Sequence, residues 1–267
     1  QQLARDQFAG KRGAVVMVDV ANGGLLAAFS APSFDLNKLG SSEGNQYWSE
    51  LSTDRDKPLL NRMWQGTYPP ASTFKITSAI AVLSEKVAKP EENVNCGGAY
   101  VFGGRPFHCW QHSGHGPVNL HGSLVHSCDV YYYAMSLRLG VDKIMKYARI
   151  LGFGEKTQLG LGQEKDGLMP SEAWKQKRFG TPWQAGENLS VVVGQGYDLV
   201  TPLQNAMMIA KVASGGYHLE PYVLDHAVDQ QKKVLYQHEH VTREKLSLAP
   251  NVLEQVRAAL VEVGSRS

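Results

Sequence analysis

The amino-acid sequence predicts an α+β domain, because segments rich in β-formers stand near its start and its end while helical patterns fill the region between them. Residues 15–20 and 25–29 predict two strands, and Asn22-Gly23 between them is a strong signal for a tight hairpin turn. Residues 222–237, YVLDHAVDQQKKVLYQ, predict a second hairpin. The sequence contains no internal repeat and no low-complexity linker, which favours one domain over several.

The composition is that of a globular protein, with 43% apolar and 19% charged residues among 267. The net charge is +2 and no basic run stands out, so we expect no nucleic acid as a partner. No apolar stretch approaches the length that spans a bilayer. The first residues, QQLARDQFAGKRG, are typical of the interior of a longer protein, so we expect any membrane anchor to precede them.

The other segments are assigned by their periodicity and by helix start and stop signals. Two of them predict loops: residues 35–59 are polar and irregular, and residues 88–120 are rich in Gly, His, Cys and Pro. Helices are predicted within residues 71–83, on either side of Ser127 in 119–140, and within 141–154, 171–180, 201–216 and 251–263.

The stretch YPPASTFK places Ser72 and Lys75 on the first turn of a predicted helix, after two prolines that suit a helix entry. Residues at i and i+3 project from one face of a helix, so the Lys75 amine would approach the Ser72 hydroxyl. An amine in that place is one way to activate a serine nucleophile. An N-cap serine followed by a surface lysine has the same spacing, so this motif alone leaves both interpretations open.

A second polar motif, Ser127-Cys128-Asp129, follows 55 positions after Ser72. A second hydroxyl could relay a proton to a leaving group, and a carboxylate could hold the lysine amine in place. The two motifs together favour a catalytic serine site.

Four stretches carry a resemblance to a known family: GTYPPASTFK, SCD, WKQKRFG and GQGYDLVTPLQ. In this order they resemble the transpeptidase domain of the class B penicillin-binding proteins, and most of all the elongation-specific penicillin-binding protein 2 group. The similarity runs from about residue 13 to residue 263. It implies the fold shared with serine β-lactamases, in which helices pack on an antiparallel sheet and an all-helical subdomain lies beside it.

The resemblance implies a peptidoglycan D,D-transpeptidase that cross-links stem peptides during cell elongation and is covalently inhibited by β-lactams. By the same resemblance Ser72 is the nucleophile, Lys75 the general base and Ser127 the proton shuttle. Asp129 stands where many class B enzymes have asparagine, and aspartate there is typical of the elongation group. The chemistry itself needs no cofactor.

The resemblance also implies partners and a location. Stem peptides and β-lactam antibiotics would bind the serine site, while a glycosyltransferase and other membrane proteins of the elongation machinery would bind regions outside this chain. The expected location is the periplasmic side of the bacterial inner membrane, with anchor and pedestal preceding a single transpeptidase domain at residues 1–267.

One motif of the family is missing. The chain has no K-S-G or K-T-G triplet, the strand motif that supplies a carboxylate-binding cation and the second oxyanion N–H; Arg266-Ser267 could at most begin a related one. We expect that this part of the protein lies beyond the chain. A serine β-lactamase or β-lactam sensor, and a non-catalytic scaffold, remain as alternative functions.

The three cysteines form a further pattern with one histidine. Cys96, Cys109, His115 and Cys128 are spaced Cys-x12-Cys-x5-His-x12-Cys, which offers the ligand set of a closed tetrahedral zinc site. We expect a structural zinc that fixes the loop of Ser127 and Asp129. A disulfide with one thiol left over, or three small buried side chains, would explain the same cysteines.

Overall fold

The computed structural model describes residues 1–239 and 244–265, so the Arg266-Ser267 prediction lies outside the described residues. The helices are α1 Gln2–Gln7, α2 Leu36–Leu39, α3 Gly44–Thr53, α4 Lys75–Ser84, α5 Leu120–Val125, α6 Asp129–Leu139, α7 Val141–Ile150, α8 Glu172–Phe179, α9 Glu187–Val191, α10 Pro202–Ala213 and α11 Pro250–Ser265. The strands are β1 Gly13–Val18, β2 Leu25–Ala31, β3 Val94–Cys96, β4 Ala99–Phe102, β5 Arg105–His108, β6 Gly116–Val118, β7 His226–Val228 and β8 Val234–Gln237.

Both predicted hairpins are present, as the antiparallel pairs β1–β2 and β7–β8. The turn between β1 and β2 needs glycine at position 23, because its φ is +91° and a Cβ there would lie 2.2 Å from the Glu220 carbonyl oxygen. Helix α10 packs against β1 and covers one face of this hairpin. The hairpin thereby joins the start of the chain to its later helices.

Two of the predicted helix starts are confirmed by their caps. The Trp174 N–H donates to the Ser171 hydroxyl at the start of α8. At the start of α10, Thr201 and Gln204 form a capping box in which each side chain accepts from the other residue's backbone N–H.

One loop prediction was wrong, and a second, for a segment that is mostly loop, missed short strands. Residues 35–59 contain α2 and α3, which periodicity missed because α3 buries only Leu51 and so shows no clear apolar stripe. Residues 88–120 contain the pairs β3–β6 and β4–β5, whose strands are three or four residues long. Strands this short show little alternation of polar and apolar residues. The five-residue helix α9 was also missed.

Helix α4 is the centre of the main core. Every residue from Lys75 to Val82 is buried, so the helix has no solvent face. It packs against α5, α6, α7 and α11. Because a close-packed interior leaves little room for displacement, the start of α4 is a rigid place for a reactive side chain.

Asp198 is buried without a partner. Its side chain is fully shielded from solvent, and neither carboxylate oxygen has a hydrogen-bond partner among the described residues. Burial raises the pKa of Asp198 well above its ordinary value, because a charged carboxylate loses its hydration there. The folded protein therefore favours the protonated acid.

Asp198→Asn should stabilise the fold at neutral pH. The pKa of Asp198 is higher in the folded state than in the unfolded state. The full free energy of unfolding of the wild type is therefore present below about pH 4. As the pH rises above that value, the free energy of unfolding falls by up to about 1.4 kcal/mol per pH unit. Urea unfolding between pH 4 and pH 8 measures this, with the exposed Asp6→Asn as control. Parallel pH profiles for the wild type and Asp198→Asn would contradict the prediction.

Candidate active site and metal cluster

Ser72 lies in the 3₁₀ turn Ala71–Phe74 that leads directly into α4. The segment before it pairs with residues 194–200, hereafter the supporting loop. Tyr68 and Val200 exchange two backbone hydrogen bonds of 2.8 and 2.9 Å, and the Ala71 N–H donates to the Gly194 carbonyl at 2.9 Å. Gly194 is required at this approach, because a Cβ there would lie 2.4 Å from the Ala71 carbonyl oxygen.

Backbone strain occurs at Ser127 and at Ala71, the residue before Ser72. Ala71, next to Ser72, has φ of +50°, and Ser127 itself has φ of +51°. L-residues rarely adopt this left-handed region, which costs about 1–3 kcal/mol and persists only where the surroundings impose it. Strain of this kind is common at functional sites.

Lys75 joins the two predicted motifs. Its Nζ lies 3.2 Å from Ser72 Oγ, 2.9 Å from Ser127 Oγ and 2.6 Å from Asp129 Oδ1, and it donates to the Ser127 carbonyl at 2.9 Å. The Lys75 side chain is only 2% exposed. An amine between two hydroxyls can move a proton from one to the other, so the geometry suits a serine nucleophile with a proton relay.

Asp129 is held by a donor that sequence reasoning missed. The Trp110 N–H donates to Asp129 Oδ2 at 3.2 Å, while the Trp110 indole N–H donates to the His126 carbonyl at 3.0 Å. The indole ring is 60% exposed, so Trp110 stands at the surface of the site. A backbone donor from a distant loop leaves no pattern in the sequence, since every residue except proline carries the same N–H.

The four predicted metal ligands also come together. The ligand atoms of Cys96, Cys109, His115 and Cys128 all lie within 4.8 Å of one another. His115 Nδ1 lies 3.5 Å from Cys96 Sγ and 3.6 Å from Cys109 Sγ. Zinc bonds of about 2.3 Å to sulfur and about 2.0 Å to nitrogen at a tetrahedral angle separate those two atoms by about 3.5 Å. The donor set therefore fits zinc in both chemistry and size.

The thiols of this cluster differ in acidity. Burial raises the pKa of Cys96, but hydrogen bonds from the Gly98 and His115 N–H groups and from the other two thiols outweigh it, so the pKa is below its ordinary value. Burial raises the pKa of the Cys128 thiol. Burial also lowers the pKa of His115, which favours the neutral imidazole that binds metals.

Comparison with known proteins agrees with this fold. A serine followed three residues later by a lysine, at the start of a buried helix, is a motif of β-lactamases and penicillin-binding proteins. Residues 13–267 match the family described as the penicillin-binding protein transpeptidase domain, and the chain belongs to that family.

Relatives within the family include MrdA proteins, which are named peptidoglycan D,D-transpeptidases. Peptidoglycan D,D-transpeptidase MrdA of Acinetobacter baumannii is 38% identical over 84% of the chain, and MrdA of Escherichia coli K12 is 34% identical over 90%. Penicillin-binding protein 2 of Pseudomonas aeruginosa, solved in complex with WCK 5153, superposes with a TM-score of 0.88 at 32% identity, over 100% of this chain and 60% of that one. The predicted fold class is confirmed.

The chain spans about a third of the length of these curated relatives, 34% and 38%. Within the described residues, the helices are all too short or too polar to cross a membrane. The predicted roles of Ser72, Lys75, Ser127 and Asp129 stay predictions, as do those of the four metal ligands.

Lys75→Met should destabilise the fold, because it leaves the Asp129 carboxylate without its cation in a nearly closed site. Breaking a buried ion pair costs about 3–5 kcal/mol. The double variant Lys75→Met/Asp129→Asn should recover much of that loss, since the unpaired charge is gone. Denaturant unfolding measures both, with Lys146→Met as an exposed control on α7. A Lys75→Met protein as stable as the control would contradict this.

Proposed function

We propose that this chain is the catalytic domain of a peptidoglycan D,D-transpeptidase that cross-links stem peptides during cell elongation. The observation that carries the proposal is the position of the Lys75 ammonium, within 3.2 Å of the Ser72 hydroxyl, 2.9 Å of the Ser127 hydroxyl and 2.6 Å of the Asp129 carboxylate. Membership of the transpeptidase family and the similarity to MrdA proteins support it.

The first step would form an acyl-enzyme. Lys75 first gives a proton to the Asp129 carboxylate, which lies 2.6 Å away, and becomes a neutral amine. Ser72 Oγ then attacks the carbonyl carbon of the D-Ala–D-Ala bond in the donor peptide, and its proton passes to Lys75 Nζ as the new C–O bond forms. The Ser72 N–H lies in the first turn of a helix, where backbone N–H groups have no intrahelical partner, so it can donate to the oxyanion. Asp129 holds the Lys75 side chain toward the two hydroxyls.

The second step would release D-alanine and complete the cross-link. The Ser127 hydroxyl gives its proton to the leaving amine as the C–N bond breaks, and Lys75 returns a proton to Ser127. An amine of a neighbouring stem peptide then attacks the acyl-enzyme and restores the Ser72 hydroxyl. A β-lactam enters the same first step, but its ring-opened product stays attached to Ser72.

The partners and the location are proposed on the same ground. Solved relatives include Helicobacter pylori penicillin-binding protein 2 in complex with MreC, and a peptidoglycan synthase complex in which polymerisation and cross-linking are coordinated. We propose that this chain works with a glycosyltransferase and elongation proteins of that kind. Its substrate places it on the periplasmic side of the inner membrane, anchored by another part of the protein.

Ser72→Ala should abolish covalent labelling by penicillin, because it removes the hydroxyl that Lys75 would activate as the nucleophile. The adduct is measured by intact mass after hours at high penicillin concentration. We expect it to form slowly, because the chain has no K-S-G motif. Ser78→Ala, on the same helix, is the matched control and should still be labelled. An adduct on Ser72→Ala would remove Ser72 as the nucleophile.

The same experiment separates the alternative functions. A stable adduct supports the transpeptidase. Rapid turnover of penicillin with no lasting adduct would instead identify a β-lactamase. No adduct on the intact full-length protein, under conditions that label MrdA relatives, would favour a non-catalytic scaffold.

We further propose that Cys96, Cys109, His115 and Cys128 bind one structural zinc ion. The distances between their ligand atoms, all within 4.8 Å, suit tetrahedral coordination. Two ligands precede residues of the catalytic site: Cys128 precedes Asp129, and Cys109 precedes Trp110, whose N–H donates to Asp129. When bound, the metal would cross-link the β3–β6 and β4–β5 loops to the start of α6. These residues would then orient Asp129 without taking part in the chemistry.

Protein purified without added zinc should contain close to one zinc per chain. Cys128→Ser should lose the metal and lower the melting temperature by about 5–10 °C, because metal affinity contributes to folding free energy. His112→Ala, an exposed histidine of the same loop, is the matched control. Metal analysis and thermal melts measure both. Two results together would contradict the proposal: a metal-free wild type with a cysteine disulfide, and a Cys128→Ser variant with the melting temperature of the wild type.

A further inference from the structure

A buried ion pair lies between α8 and α9, outside the site described above. The Lys175 ammonium pairs with Glu187 Oε2, and the Lys175 side chain is only 8% exposed. The Gln184 N–H donates to the same oxygen at 2.7 Å, and the Tyr197 hydroxyl donates to Oε1 at 3.0 Å. Burial raises the pKa of Glu187, but the hydrogen bonds from these three partners outweigh it and keep the carboxyl group below its ordinary pKa.

Tyr197 is fixed by packing as well as by its hydroxyl. Its ring contacts the rings of Trp174, Phe179 and Trp183 at centroid distances of 5.1, 5.9 and 6.1 Å. Aromatic contacts of this kind contribute about 0.5–1.5 kcal/mol each beyond their buried area. The ring therefore has one well-defined position between α8 and α9.

Tyr197 belongs to the supporting loop, residues 194–200, which pairs with the segment before Ser72. That pairing includes the hydrogen bond from the Ala71 N–H to the Gly194 carbonyl. Ala71 has an unfavourable φ of +50°, so it needs an external constraint to keep it. The supporting loop supplies one, and Tyr197 connects that loop to α8 and α9 through Glu187 and the aromatic contacts.

We propose that Lys175 and Glu187 are positioning residues for Ser72, which act through Tyr197 and the supporting loop on the strained backbone at Ala71. Neither charged group reaches the reacting atoms. Their effect is to keep Ser72 Oγ at its distance from Lys75 Nζ. The catalytic consequence rests on the proposed function, whereas the structural coupling does not.

Two variants test the coupling. Lys175→Met removes the cation and leaves Glu187 without it, and Tyr197→Phe removes one hydroxyl with little risk to folding. Both should speed hydrogen exchange of the Ala71 amide by about tenfold, because local opening of the supporting loop becomes easier. Lys177→Met is the matched control, since Lys177 lies on the exposed face of the same helix. NMR of the folded chain measures the exchange.

Acylation by penicillin supplies the second readout. In both variants the limiting rate of acylation should fall about 10- to 100-fold, as expected when a reacting atom is misplaced. The penicillin concentration at half-maximal rate should stay unchanged, because the binding groove is not altered. The effects of Lys175→Met and Tyr197→Phe should also be less than additive, since both act through Glu187.

The outcomes separate this inference from the proposed function. A wild type that takes no penicillin, but whose Ala71 amide responds to Lys175→Met and Tyr197→Phe, would contradict the function and support the coupling. Equal Ala71 exchange in Lys175→Met, Tyr197→Phe and Lys177→Met would overturn the coupling, even in a chain that is readily acylated. A change confined to the half-saturating concentration would also overturn it.

Discussion

The structure of this site depends on one buried cation, the Lys75 ammonium. A charged group shielded from water needs several oxygen partners, and Lys75 has four: the Ser72 hydroxyl, the Ser127 hydroxyl and carbonyl, and the Asp129 carboxylate. Those partners come from two segments that are distant in the sequence. The need to satisfy one ammonium group therefore brings the two motifs together and orients both hydroxyls.

The energy that keeps this arrangement comes from the core. Helix α4 is buried along its length and is surrounded by α5, α6, α7 and α11, so Lys75 starts from a backbone that cannot shift. Such support allows unfavourable backbone angles at Ala71 and Ser127 to persist. The free-energy cost of this strain is small compared with the packing energy that keeps the backbone in place. In this conformation both the Ser72 and the Ser127 hydroxyls lie within 3.2 Å of Lys75 Nζ.

Two outer groups of residues contact different parts of the site. The cysteine and histidine cluster adjoins Asp129 through Cys128 and through the Trp110 N–H. The supporting loop adjoins Ser72 through the Ala71 N–H. The supporting loop acts on the backbone beside Ser72, whereas the cluster reaches the Asp129 carboxylate through the Trp110 N–H.

The sequence by itself determined the local features, because these depend on neighbours along the chain. The i, i+3 spacing of Ser72 and Lys75, the Asn22-Gly23 turn and the capping box of Thr201 are of this kind, and the family resemblance added the order of the motifs. Tertiary structure alone decided the rest. The Trp110 donor to Asp129, the short strands of residues 94–118 and the unpartnered burial of Asp198 depend on contacts between distant segments, which leave no periodic or local signal in the sequence.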